Sequence, residues 1–299
     1  KHILFFVAGT LFSLVMVEVI LFHILLSKTY AQAISNDPFP QFHSATYPQL
    51  EHSYIPILSA QTAFVMDANS RVVLYSKNEN LRFSPASTTK IVTALTALDY
   101  FKLNDVLVAK NPAVEPVVLG LYKGEKMTFE NLLYAMFLPS ANDAALTISQ
   151  NYPGGEKAFV AKMNDKIKSL HLVNTHFSDP IGLNDDGDYT TAKELALIAS
   201  FAIDHPEIAR IVHTKYYTVT SVNGDRYPVE NLNKLLGQYG VTGLKTGYTE
   251  EAGQVLVTSS EMQGHTFITV VMNSEDRFAD TEKLLQLIQN NVSYLPIHP

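Results

Sequence analysis

Pro85-Ala86-Ser87-Thr88-Thr89-Lys90, running into the apolar stretch Ile91 to Tyr100, is the segment on which the reading of this chain turns. Proline followed by small residues suits the start of a helix. A helix beginning near Ser87 places Ser87 and Lys90 at i and i+3, on one face and one turn apart. A serine hydroxyl is a weak nucleophile until a neighbour takes its proton. A lysine can take it only if burial or a second cation brings its pKa down towards neutral. The pair is a candidate nucleophile and base. The same four residues also describe an ordinary helix start with a solvated lysine, so the surrounding chain has to decide.

Upstream, Ala63 to Asp67 and Val72 to Tyr75 read as strands joined by the turn Ala68 to Arg71, a hairpin. Downstream, from about 105 to 213, the period becomes helical. Phe129 to Phe137, Ala141 to Ile148 and Glu156 to Leu170 are three helices. Thr191-Ala192-Lys193-Glu194 is a capping box ahead of a fourth, Leu195 to Ala202. Tyr216 to Val222 and Arg226 to Val229 flank Asn223-Gly224, a hairpin signal. Val255 to Ser259 and Thr266 to Met272 are further strands, and Thr281 to Gln289 is a closing helix. Strands, then helices, then strands and a helix imply an α/β fold: an antiparallel sheet flanked by helices, with an inserted helical subdomain at about 105–213.

The N-terminal end differs. Ile3 to Leu26 is apolar apart from Glu18 and His23, long enough to span a bilayer as a helix. The reading assigns 1–28 to a transmembrane signal-anchor, 29–59 to a linker marked by Pro38, Pro40, Pro48 and Pro56, and 60–295 to the catalytic domain. Ala31-Gln32-Ala33 has the small-x-small form that signal peptidase accepts, so a form cleaved after Ala33 and secreted is the alternative. Either way the remainder is exported.

Composition excludes several classes. With 299 residues and a net charge of −7, and no lysine/arginine-rich block, nucleic acid is not an expected partner. Without cysteine there are no disulfides, cysteine zinc sites or thiol chemistry. No His-Glu-x-x-His and no Gly-x-Ser-x-Gly is present, so neither a zinc protease nor a nucleophile-elbow hydrolase is supported, and no cofactor is expected.

Two further segments complete a possible site. Ser140-Ala141-Asn142 lies at a turn between two apolar helices and offers a hydroxyl and an amide from a loop edge. Two other serine-x-asparagine strings exist. Ser149-Gln150-Asn151 is about 180° round the same helix from Ser140, and Ser221-Val222-Asn223 belongs to a hairpin turn; both read as structural. Lys245-Thr246-Gly247, ahead of Tyr248 and the strand at Val255, suits carboxylate binding. The cation and hydroxyl hold the anion, and glycine lets a substrate backbone approach.

Serine-x-x-lysine, serine-x-asparagine and lysine-threonine-glycine in this order form the set shared by class A β-lactamases and penicillin-binding proteins. The surrounding text is more specific. Val65-Met66-Asp67, Val73-Leu74-Tyr75, Pro85 to Thr93, Ser140 to Ala145, His176-Phe177, Gly182-Leu183, Tyr189 to Ala192, Asn231-x-Asn233 and Gly243 to Gly253 all contribute. On these stretches residues Ile55 to Arg277 resemble the D-alanyl-D-alanine carboxypeptidases, the low-molecular-mass penicillin-binding proteins of peptidase family S11. The resemblance implies the β-lactamase/penicillin-binding transpeptidase-like fold and a substrate, the peptidoglycan stem peptide ending in D-Ala-D-Ala. It implies Ser87 as acyl-forming nucleophile, Lys90 as its base, Ser140 as proton relay to the leaving amine and Asn142 as a holder of the substrate amide. Lys245 and Thr246 would bind the terminal carboxylate, and the backbone N–H groups of Ser87 and Tyr248 would form the oxyanion hole. β-Lactams are the implied inhibitors.

Family members often carry a β-rich domain and an amphipathic anchoring helix after the catalytic domain. Neither is expected before Pro299, which leaves the N-terminal run as the expected anchor, in the bacterial cytoplasmic membrane with the catalytic domain outside. Leu232 stands between the two asparagines where some members have a polar or basic residue, which bears on substrate preference. A peptidoglycan DD-endopeptidase would use the same residues. A class A β-lactamase would need a glutamate for its deacylating water. The string Glu230-Asn231-Leu232-Asn233 is one residue short of that pattern. A β-lactam sensor without turnover is a third alternative.

Overall fold

A computed structural model describes residues 46–112 and 116–296. The segment 1–28 and most of 29–59 lie outside the described residues. Of the compact unit from Thr46 to Leu295, the first elements in chain order are β1 (Thr46–Leu50), β2 (Thr62–Asp67) and β3 (Val73–Lys77). A 3₁₀ turn (Ala86–Thr89) runs into α1 (Lys90–Leu98), followed by β4 (Val106–Val108), β5 (Lys126–Thr128), α2 (Phe129–Phe137), α3 (Asn142–Asn151) and α4 (Gly155–Ser169). Then come α5 (Ala192–Ile203), α6 (Pro206–Val212), β6 (Tyr216–Thr220) and β7 (Arg226–Glu230). The chain closes with β8 (Val241–Thr249), β9 (Gly253–Met262), β10 (His265–Ser274), α7 (Arg277–Ile288) and β11 (Val292–Pro296).

The main sheet has the order β3-β2-β10-β9-β8, antiparallel at every pairing. Two of its interior strands, β2 and β10, alternate apolar residues to both faces. Phe64 and Met66 of β2, with Ile268, Val270 and Met272 of β10, join the core shared with α1 and α5. Ala63, Val65, Phe267 and Val271 turn the other way and pack with Leu284, Leu285 and Ile288 of α7. Helices cover both faces, so these strands read as nearly continuous apolar runs.

The helical side is built round α1, which is buried from Lys90 to Ala97. An all-round apolar helix belongs in a core. Here it carries Ser87 and Lys90 at its N-terminal end into the junction with the sheet. The start differs from expectation. Ser87 belongs to the 3₁₀ turn, and the α-helix proper begins at Lys90. In a 3₁₀ turn residues i and i+3 eclipse, which brings the two side chains closer than an α-turn would.

Four other sequence readings are corrected. Lys245-Thr246-Gly247 does not merely precede the strand at Val255 but lies inside an edge strand of its own, β8, with Lys245 opposite Val257 and Gly247 opposite Val255 on β9. Its polar composition hid the strand, because these side chains face the site rather than a core. Residues 46–50, assigned to the linker, form β1 and pair with β11. The inserted region is not purely helical. It contains the small β4-β5 sheet, and the β6-β7 hairpin beyond 213 packs on it rather than joining the main sheet. Tyr134 of α2 stacks on Tyr217 of β6, centroids 3.7 Å apart, and Asn131 Nδ2 donates to Thr220 O at 3.0 Å. Finally, only half of the capping box forms. Thr191 accepts from Glu194 N, but the Glu194 carboxylate turns away to Asn174 N and Thr175 Oγ1.

Candidate active site

Three elements from distant parts of the chain meet at the edge of the sheet. The 3₁₀ turn before α1 brings Ser87, the α2–α3 turn brings Ser140 and Asn142, and β8 brings Lys245, Thr246, Gly247 and Tyr248. Lys90 Nζ lies 2.8 Å from Ser87 Oγ and 2.9 Å from the Ile181 carbonyl. Lys245 Nζ donates to Ser140 Oγ at 2.9 Å and to the Thr246 carbonyl at 2.9 Å. Each serine is thus held by one lysine.

The backbone is strained where the serines are presented. Ser140 has φ +68° and Ala86, next to Ser87, has φ +47°. Non-glycine residues at positive φ persist only where the surroundings over-determine them, often at functional sites. Gly247 meets a different demand. A Cβ there would stand 3.2 Å from the Ser87 backbone nitrogen and 3.0 Å from the Pro85 carbonyl oxygen, so β8 or the Ser87 turn would have to give by a few tenths of an ångström to admit a side chain. Tyr248 follows with its side chain exposed at the rim.

Asn142 opens α3, with its backbone N–H on the Val117 carbonyl at 2.8 Å. Its Oδ1 is buried and has no hydrogen-bond partner among the described residues, so it is open to a donor from outside. Its neighbour Asp143 accepts the N–H groups of Leu119, Gly120 and Leu121 and fixes the segment beside the second serine.

The electrostatics follow from burial. Lys90 is fully buried, and desolvation brings its pKa down to about 7, against an opposing pull from the Asp179 carboxylate. Lys245 is pushed well below the usual lysine range, first by desolvation, then by the charges of Lys90 and Arg277. Among the described residues no ion pair neutralises either lysine. Burial without a counter-charge disfavours the protonated form of both amines, and an anion entering the site, such as a substrate carboxylate, would favour it again.

Three contributors escaped the sequence reading. Arg277, the first residue of α7, donates from Nη1 to the Gly247 carbonyl at 2.8 Å and adds positive charge behind Lys245. Asp179 faces Lys90 electrostatically, and the Ile181 carbonyl binds it directly. No short motif marks any of them, because they act across 30 to 91 residues of separation.

Comparison with known proteins agrees with this arrangement. The family model described as D-alanyl-D-alanine carboxypeptidase matches residues 50–276. The chain is 31% identical over 250 residues to the D-alanyl-D-alanine carboxypeptidase DacF of Bacillus subtilis, covering 80% of this chain but only 64% of that one. A Pseudomonas aeruginosa D-alanyl-D-alanine endopeptidase is 30% identical over 280 residues, covering 89% of this chain and 86% of that one. The crystal structure of a Streptomyces DD-transpeptidase superposes with a TM-score of 0.74 at 30% identity, covering 79% of this chain and 98% of that one. With the family model matched across the sheet, the helical insertion and all three motif segments, this chain belongs to the D-alanyl-D-alanine carboxypeptidase family.

Proposed function

We propose that the protein is a serine-type D-Ala-D-Ala carboxypeptidase that removes the terminal D-alanine from peptidoglycan stem peptides through an acyl-enzyme on Ser87. The observation that carries this is the buried Lys90 amine, 2.8 Å from Ser87 Oγ and brought near neutrality by desolvation. The Ser87 hydroxyl proton passes to Lys90 Nζ as Oγ bonds to the penultimate D-alanine carbonyl carbon. The C–N bond then breaks as the proton held by Lys90 is relayed through Ser140, which Lys245 holds, to the leaving amine, and Lys90 is neutral again. Water adds to the ester carbon and gives a proton to Lys90, which returns it to Ser87 Oγ as the acyl–oxygen bond breaks. Lys245, Thr246 and the charge of Arg277 receive the terminal carboxylate.

Incubating the protein with a peptide ending in D-Ala-D-Ala should release free D-alanine; a folded preparation that releases none overturns the assignment. The endopeptidase relative motivates a second reading. A cross-linked muropeptide dimer, cleaved faster than the pentapeptide in the same assay, would select it.

Penicillin should acylate Ser87 and stay there. The ring amide mimics the D-Ala-D-Ala bond, but its leaving amine remains tethered and blocks water. A lactamase overcomes this with a carboxylate that holds the deacylating water. The carboxylate acting on Lys90 here is Asp179, and both its oxygens are taken up by backbone N–H groups. The expected result is an adduct of one penicillin, persisting for minutes or longer by intact mass. Rapid turnover of a chromogenic cephalosporin without an adduct would favour a lactamase.

The run Ile3 to Leu26 motivates the proposed location, at the outer side of the bacterial cytoplasmic membrane, where peptidoglycan is. Among the described residues no helix is long and apolar enough to cross a membrane. Fractionation of the full chain should place it with membranes, and deletion of 1–28 should release it. Release of the intact full-length chain by a salt wash would count against a spanning anchor, and a soluble product starting at Ile34 would show cleavage after Ala33.

A further inference from the structure

The loop from Ser178 to Asp188 lies between α4 and α5 and is stitched at its far end by bridges from His176 to Tyr189 and from Phe83 to Thr190. Its interior is organised by one side chain. Asp179 Oδ1 accepts the N–H groups of Ile181 and Gly182 at 2.7 and 2.5 Å, and Oδ2 those of Leu183 and Asn184 at 3.1 and 2.8 Å. Gathering four N–H groups on one carboxylate turns the neighbouring carbonyls the other way, towards α1. Pro180 O accepts from Thr93 Oγ1 at 2.7 Å, and Ile181 O accepts from Lys90 Nζ at 2.9 Å. Thr93 stands one turn beyond Lys90, so two consecutive loop carbonyls dock on one face of the helix. Gly182 closes the contact. A Cβ there would lie 1.9 Å from the Ala86 carbonyl oxygen, so the loop rests directly on the turn that carries Ser87.

A neutral lysine amine has two N–H donors and one lone pair. If one N–H is committed to Ile181 O, rotation about the Cε–Nζ bond is restricted and the lone pair can be kept on the Ser87 hydroxyl. Among the described residues no other hydrogen bond ties Lys90 Nζ to anything but the serine itself. The geometry points to Asp179 as a positioning residue for the general base: through the backbone N–H groups of residues 181–184 it holds the Ile181 carbonyl on Lys90 and so aims the amine at Ser87. This rests on the reading of Ser87 and Lys90 as nucleophile and base.

Asp179 has a second effect that a merely structural loop residue would lack. Its negative charge favours the protonated form of Lys90 and thus works against the desolvation that lowers it. The same loop also carries Asp185, whose Oδ1 accepts from Ser84 Oγ and Thr249 Oγ1, the exposed Asp186, and Asp188, pushed up to about 6 chiefly by burial and then by Asp179, with His176 beside it; across the site stand Lys245 of β8 and, behind it, Arg277. Removing the Asp179 charge therefore moves the Lys90 pKa down.

The test is Asp179→Asn, assayed for D-alanine release across pH. The amide keeps one acceptor oxygen and loses the charge. The expected result is a fall in kcat of about ten- to a hundredfold, as for a misplaced catalytic group. KM should change little, and the acid limb of kcat/KM should move to lower pH by about half a unit to one unit. A native rate overturns the proposal, and so does a reduced rate with an unmoved acid limb. Should the asparagine variant fail to fold, Asp179→Glu keeps the charge but changes the reach. It should show the native acid limb with kcat reduced about tenfold or more, and a native kcat would again overturn the proposal. Ser87→Ala in the same assay separates the layers. If it still releases D-alanine the reading of the site fails; if it is dead while Asp179→Asn is native, only the positioning role fails.

Discussion

Ser87→Ala is expected to lose D-alanine release and penicillin labelling together, by roughly 10⁴- to 10⁶-fold, the range for removing a catalytic serine. Both reactions begin with the same bond, Ser87 Oγ to a carbonyl carbon, so no variant of this position should separate them. The fold should survive. Ser87 is half-buried in the 3₁₀ turn, and its hydroxyl is hydrogen-bonded to Lys90 Nζ. A single hydrogen bond of this kind contributes about 1 kcal/mol. The check is thermal melting and intact mass after penicillin treatment, run on the same preparation. Normal labelling in a folded Ser87→Ala protein would remove Ser87 from the mechanism.

Lys90→Arg should be equally inactive for a different reason. A guanidinium stays protonated at any assay pH and cannot take the serine proton. In the native protein the same requirement shows as pH dependence. Lys90 titrates at about 7, so below neutrality the amine becomes protonated and kcat/KM should fall by about tenfold per pH unit. Because Lys245 disfavours the same proton from across the site, the measured value belongs to the pair. The stability consequence has the opposite sense to the usual lysine ion pair. The unfolded side chain titrates at about 10.4, so between about 7 and 10.4 the unfolded chain binds more protons and stability rises with pH. Near pH 7 the buried lysine therefore costs stability. Lys90→Met should be inactive yet melt higher, by about 1 kcal/mol or more, the usual trade between a functional site and stability. An active Lys90→Arg protein would refute the base assignment, and a methionine variant that melts lower would refute the desolvation argument.

The parts of this protein that were legible in advance are those in which neighbours in sequence are neighbours in space. Phe129–Phe137 was readable as a helix to the residue because it is one apolar stretch that stops at Leu138-Pro139, and it is buried along nearly its whole length. The hairpin at Asn223-Gly224 was readable because Gly224 adopts the positive φ, +96°, that such a turn demands. The pairing of Ser87 with Lys90 was readable because three residues of separation bring them together within one turn, whether that turn is 3₁₀ or α. The second and third motif segments were also local strings. That they converge on Ser87 came from resemblance rather than from their spacing.

What the chain alone determined is therefore the long apolar helices, the hairpins with clear turn signals, the three motif segments and the family they resemble. Each depends on residue types at short, periodic separations. What only the tertiary structure decided is how the site is tuned. The Lys245 segment is an edge strand because β9 pairs with it, although its own side chains lack strand periodicity. Lys90 is near neutral because the sheet and the helical lobe close over it and strip its water. Its second partner is a backbone carbonyl, Ile181 O, and a carbonyl is present at every residue, so no amino-acid type announces it. Asp179 and Arg277 act through loop backbone and strand backbone at long range. Desolvation and backbone hydrogen bonding depend on what surrounds a group in space, and that is decided only when distant segments pack together.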